Sequence, residues 1–155
     1  MRCKFLLFVV FTLLFELVAC AKHGAIKDEK IETNKTIYQR NILIGKWSGK
    51  SDLLSGGTRT WTTHRYPDGT FRVDFSSTDE AGNVSNQTES GIWGVSGDIY
   101  FTATRGFIEN GVMIHADTTD ASLYDTYKII TISDKKFEYV NLSTGNRFEV
   151  ERVNN

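Results

Sequence analysis

The densest group of side chains able to do acid–base or metal chemistry is His115-Ala116-Asp117-Thr118-Thr119-Asp120, with Asp125 downstream. Residues i and i+2 of a strand share a face, so His115 and Asp117 could stand side by side and bind a metal or move a proton. Two ligands do not complete a zinc site, which takes three or four. His64 would supply a third only from the same interior, and the strand pairing set out below turns it outward. The chain has no Gly-x-Ser-x-Gly turn and no glycine-rich loop entering a helix to cradle phosphate. The Asp79-Glu80 pair, beside Gly82 and Asn83, reads as a solvated hairpin tip. The expectation is therefore a protein that is not an enzyme, with no metal and no cofactor.

A second set is better suited to binding than to chemistry. Trp61, Phe71, Phe75, Trp93 and Phe101, with Tyr100, Tyr127 and Phe137, are aromatic side chains of the kind that line ligand cavities. The same residues would equally fill a solid core. What decides is how the strands carrying them are paired.

From about Ile42 onward, short apolar and β-branched runs alternate with glycine, asparagine and aspartate, a rhythm of strands and turns. It predicts strands near residues 43–50, 58–66, 70–77, 85–95, 99–104, 122–132, 137–142 and 147–153, with a ninth short strand or a lid-like loop in 107–119. The hairpin Tyr66-Pro67-Asp68-Gly69-Thr70 is the strongest local signal, since Pro presets φ, Asp accepts from the backbone and Gly takes the left-handed position. A three-residue loop there puts Trp61, Thr63, Phe71, Val73 and Phe75 on one face. Thr62, His64, Tyr66, Arg72 and Asp74 fall on the other, and a one-residue slip would mix the two. A three-residue Ser96-Gly97-Asp98 loop would likewise group Trp93, Val95, Ile99, Phe101 and Ala103; a two-residue turn would shift that set. Strands with one apolar face must close on themselves or find a second sheet. About eight closing as a barrel leave room for side chains or for one small ligand.

With 18 basic and 19 acidic residues the chain carries a net charge of −1 and has no polybasic run. That argues against nucleic acid, whose phosphates call for a basic excess. The first residues have a different address. Arg2 and Lys4 precede the apolar run Phe5 to Phe15, which Glu16 ends. This is the layout of a signal peptide, too short for a helix crossing a hydrocarbon core of about 30 Å.

Leu17-Val18-Ala19-Cys20 follows and resembles the lipobox of bacterial lipoproteins. The resemblance implies cleavage before Cys20, a diacylglyceryl group on its thiol and commonly an acyl group on the new amine. A secreted protein cut after Ala21 also fits Ala19-Cys20-Ala21. Cysteine usage favours lipidation, because Cys3 falls in the discarded leader and Cys20 is the one thiol left. Two or three acyl chains would hold the protein to the bilayer where one would not. Ala21, in place of the aspartate that commonly retains such proteins at the inner membrane, points to outer-membrane sorting, facing the periplasm or the cell surface. The sequons at Asn34, Asn83, Asn86 and Asn141 read as the turn-rich composition of a β protein. Residues 21–40 are charged and poor in apolar side chains, as a tether would be, with a short helical turn around 36–41.

Ile44-Gly45-Lys46-Trp47 on the opening strand, followed by an antiparallel meander and by Arg152 near the last strand, resembles the lipocalin or calycin superfamily. The resemblance implies an all-β, lipocalin-like barrel over residues 42–155, after a signal peptide at 1–19 and a lipidated cysteine and charged tether at 20–41. It implies that Trp47 sits at the closed end with an arginine over its indole, as a structural pair; Arg152 is the match and Arg147 a rival. It also implies a lipid-anchored module carrying a small apolar ligand, with the lipid bilayer as one partner. A filled barrel that contacts or inhibits another envelope protein is the alternative.

Overall fold

The computed structural model describes residues 33–154; the leader, Cys20 and most of the predicted tether lie outside them. The description opens in helix over residues 33–43 (α1), and residues from Thr36 on form one compact unit with everything that follows. The predicted turn at 36–41 thus belongs to a longer helix, which buries Leu43 and Gln39.

Nine strands follow: β1 (Gly45–Asp52), β2 (Thr58–Arg65), β3 (Thr70–Thr78), β4 (Val84–Ser96), β5 (Ile99–Glu109), β6 (Val112–His115), β7 (Tyr124–Ile132), β8 (Lys136–Asn141) and β9 (Arg147–Arg152). Their order in the sheet is β4-β3-β2-β1-β9-β8-β7-β5-β6, and a β4–β5 pairing closes the ring. Eight strands therefore make an antiparallel barrel, with β6 attached outside it to the upper part of β5. Closure removes the edges that a half-apolar sheet would expose.

The β2–β3 hairpin has the predicted register: Arg65 pairs with Phe71, Thr63 with Val73 and Trp61 with Phe75. Asp68 caps it by accepting from the Thr70 amide at 2.8 Å and hydroxyl at 2.7 Å, which holds its carboxyl below the usual range.

The β4–β5 hairpin differs from expectation. Ser96 pairs with Ile99 across the two-residue turn Gly97-Asp98, with Gly97 at φ 59°, the place where a type II′ turn takes glycine. The register moves by one, so Tyr100, Thr102 and Thr104 share the inner face with Trp93 and Val95, while Ile99 and Phe101 turn away from it.

The segment read as a short strand or lid is a hairpin. β5 continues to Glu109 and returns as β6 through Asn110-Gly111, both at positive φ (51° and 80°), as a type I′ turn requires.

The core lies at the end of the barrel nearest α1, around Leu43, Trp47, Trp93, Phe137 and Val150. Arg152, not Arg147, covers Trp47, its guanidinium carbon 4.4 Å from the ring centroid. It donates to the carbonyls of Ile44 (3.0 Å), Ile42 and Asp134, binding the last turn of α1, the start of β1 and the β7–β8 turn together. A cation suits that position, since the final carbonyls of a helix carry partial negative charge. Arg147 pairs with Glu138 at 2.6 Å, which holds the Glu138 carboxyl below its usual range.

Candidate functional site: the barrel interior

Because α1 and the Trp47–Arg152 pair fill one end, the space inside the barrel lies toward the other, where the β1–β2, β3–β4 and β8–β9 connections meet. The cavity measures about 380 Å³ and opens at that end. Ligand sites begin at about 300 Å³, so the interior is hollow enough to hold a small molecule.

Its wall follows from the alternation of strand side chains. Along β2, Arg59, Trp61, Thr63 and Arg65 descend from mouth to floor, and Phe71, Val73 and Phe75 on β3 lie beside them. Tyr100, Thr102 and Thr104 of β5 face Asp125 and Tyr127 of β7, with Tyr139 and Phe148 completing the circuit. The aromatic part is continuous: Tyr100 stacks on Tyr127 (centroids 5.3 Å apart), Tyr139 on Phe148 (5.3 Å), and Phe148 meets Trp61 edge-on (6.0 Å). Burial pushes the Tyr127 and Tyr139 phenols up, so both stay neutral hydrogen-bond donors.

The lining also carries charge. Glu89, half-buried, accepts from the Thr104 hydroxyl at 3.1 Å and from Gln87 Nε2 at 2.9 Å. Loss of water raises its pKa, and the nearby Asp125 charge raises it further. Asp125 accepts from Asn141 Nδ2 at 2.8 Å. Arg65 is 1% exposed and reaches Tyr100 Oη with both Nε (3.1 Å) and Nη2 (2.9 Å).

Trp61, Phe71 and Phe75 line this cavity. Trp93 does not; it sits in the floor, where its Nε1 donates to the Tyr66 carbonyl at 3.2 Å and Arg40 of α1 lies 5.4 Å from its ring centroid. Phe101 is 38% exposed, and its ring lies over Gly94 on the outer surface, so the one-residue change of register takes it out of the interior and substitutes Tyr100. Tyr100 and Tyr127, named with the aromatic set, do line the cavity, whereas Arg65 and Glu89 were not among the expected site residues. Arg65 was detectable, because it continues the inward phase of Trp61 and Thr63.

The histidine–aspartate group is dispersed. His115 is exposed on β6, Asp117 and Asp120 accept from Thr119 and Ser122 in local turns, and Asp125 points into the barrel. His64 packs on Tyr66 outside, centroids 4.1 Å apart. Among the described residues no three His, Cys, Asp or Glu side chains gather to hold a metal, and no helix is long and apolar enough to cross a membrane.

An eight-stranded antiparallel meander closed on itself, plugged at one end and hollow at the other, is a lipocalin-like barrel. No family model and no curated protein matches the chain. Among solved structures it is similar to a lipocalin-like protein from Bacteroides uniformis, at 14% identity and a TM-score of 0.43, over 72% of this chain and 99% of that one. It is also similar to an uncharacterized protein from Bacteroides eggerthii, at 13% identity and a TM-score of 0.40, over 71% of this chain and 98% of that one.

Proposed function

We propose that this chain is a lipid-anchored binding protein of the bacterial envelope that holds or carries one small, mostly apolar molecule inside its barrel and performs no catalysis. The observation that carries the reading is the cavity of about 380 Å³, opening at the end away from the Trp47–Arg152 plug and walled by Trp61, Phe71, Phe75 and Phe148. A solid interior would have removed it. The anchor is the acylated Cys20 of the lipobox, which addresses the barrel to a membrane, in this reading the outer one, on its periplasmic or surface side.

Native mass spectrometry of the full chain purified from its own host tests the ligand. The expected result is a barrel carrying one additional small mass that organic extraction removes. A barrel that carries no such mass, and takes up none from a lipid extract of the same host, refutes the reading.

One observation favours the second reading, an interaction or inhibitor module. β6 adds to β5 outside the ring and exposes Val112 and Ile114, at 61% and 47%. Co-purification of a stoichiometric envelope protein, lost on replacing both by serine, would favour it.

A further inference from the structure

We propose that the cavity floor is a receptor for a single carboxylate at the end of an apolar chain, with Arg65 as its counter-charge; this rests on the reading of the barrel as a ligand carrier and names the class of ligand.

Arg65 lines the cavity and is 1% exposed, so its cation is held out of water. Among the described residues no carboxylate oxygen lies within ion-pair distance of it: the exposed pairs are Arg72–Asp74, Lys136–Glu149 and Arg147–Glu138. Its surroundings are the faces of Tyr100 and Phe137, 4.9 and 5.6 Å from ring centroid to guanidinium carbon. These attract a cation without neutralising it. A buried charge of this kind is costly unless it is paired.

The hydrogen-bond inventory points the same way. A guanidinium has five N–H donors. The single Tyr100 oxygen takes one from Nε and one from Nη2, while Nη1 is buried with no partner. Both Nη1 hydrogens and the second Nη2 hydrogen remain, and Nη1 and Nη2 together form the end-on fork that matches the two oxygens of a carboxylate.

The interior carboxylates do not fill that role. Asp125 pairs across the sheet with Thr102, one inward rung above Tyr100, and is engaged by Asn141. Glu89 is bonded to Thr104, a rung higher still, and its cationic neighbour is Arg59. The missing negative charge must therefore enter from outside. A singly charged head balances one guanidinium where a phosphate dianion would overshoot, and the aromatic wall above supplies apolar contact for a chain.

Calorimetry on the unlipidated chain beginning at Cys20 tests this, since residues 36–155 hold the whole barrel and its core in one compact unit. The probes are decanoate and 1-decanol, alike in chain and different in head group. The expected result is decanoate tighter by at least about tenfold, as befits a charge-assisted hydrogen bond, with Arg65→Gln bringing the two affinities together. Equal affinities in the unaltered protein overturn the receptor and leave the carrier intact. Binding of neither probe overturns both. The comparison in the unaltered protein decides the matter even if Arg65→Gln does not fold.

Discussion

A methyl group added at Gly49 tests whether the interior space is set by the packing of Trp61. Gly49 lies on β1 opposite Trp61 and Val150, and a Cβ built there would stand 2.3 Å from Trp61 Cζ2, 2.5 Å from Cε2 and 2.8 Å from Val150 Cγ1. Carbon atoms rest at about 3.5 to 4.0 Å, so the indole must withdraw by roughly 1.2 to 1.7 Å. Backbone lies on one side of the ring and the cavity on the other, so the ring moves into the space a ligand would use. Gly49→Ala should cost about 1 to 3 kcal/mol of unfolding free energy, the usual penalty for overpacking. It should also weaken decanol binding measurably. Urea unfolding followed by circular dichroism reads the first effect and calorimetry the second. Unchanged stability together with unchanged affinity would refute the argument that glycine is needed for the indole to lie flat against β1. Gly91→Ala is the harsher comparison: its Cβ would meet the Ala103 carbonyl oxygen at 2.1 Å, and backbone cannot rotate away as a side chain can.

Three further outcomes are expected. Arg152→Ala removes the carbonyl contacts at Ile42, Ile44 and Asp134 and the cation over Trp47, and should lower stability by about 2 to 4 kcal/mol in urea melts, with Arg152→Lys recovering only part. Burial raises the Glu89 pKa, so its contribution favours the fold when protonated and is lost as pH rises through the folded value. Glu89→Gln should therefore raise the melting temperature at about pH 7 and leave it nearly unchanged near pH 3; a constant difference across that range would contradict the assignment. Cys20→Ala should move the protein from the membrane fraction to the soluble fraction, as read by fractionation and blotting.

How much of this the sequence discloses depends on whether the inside of a strand is apolar. The Tyr66–Thr70 hairpin was legible because its proline, aspartate and glycine specify the turn and because its inner face is Trp61, Phe71, Val73 and Phe75. The Ser96–Ile99 hairpin was misread for the opposite reason. On β5 the cavity is lined by Tyr100, Thr102 and Thr104, while Ile99 and Phe101 face outward, so a rule that sends the apolar phase inward selects the wrong one. A cavity that must hold polar groups inverts the pattern by which strands are ordinarily oriented. The Asn110-Gly111 turn is legible too: two residues tolerant of positive φ between Ile108-Glu109 and Val112-Met113 mark a tight hairpin in place of a lid. Trp47 and its arginine were legible only through likeness to other barrels, since nothing local to Arg152 or Arg147 says which of them reaches the indole. Arg65 follows from the alternation of β2 once Trp61 and Thr63 face inward, whereas Glu89 is a charge on a strand stretch with no apolar phase to orient it.

The seam between β1 and β9 has a consequence for how the molecule comes into being. The strand that opens the ring finds its second neighbour only in the strand that ends it, with Trp47 opposite Arg152, so the shape stays an unfinished ribbon until nearly the whole domain has left the ribosome. Until that moment both outer strands offer bare amides and carbonyls to any passing chain, and contacts so far apart in sequence form late and slowly. A barrel closed in this way needs an escort before its last strand arrives more than it needs one afterwards.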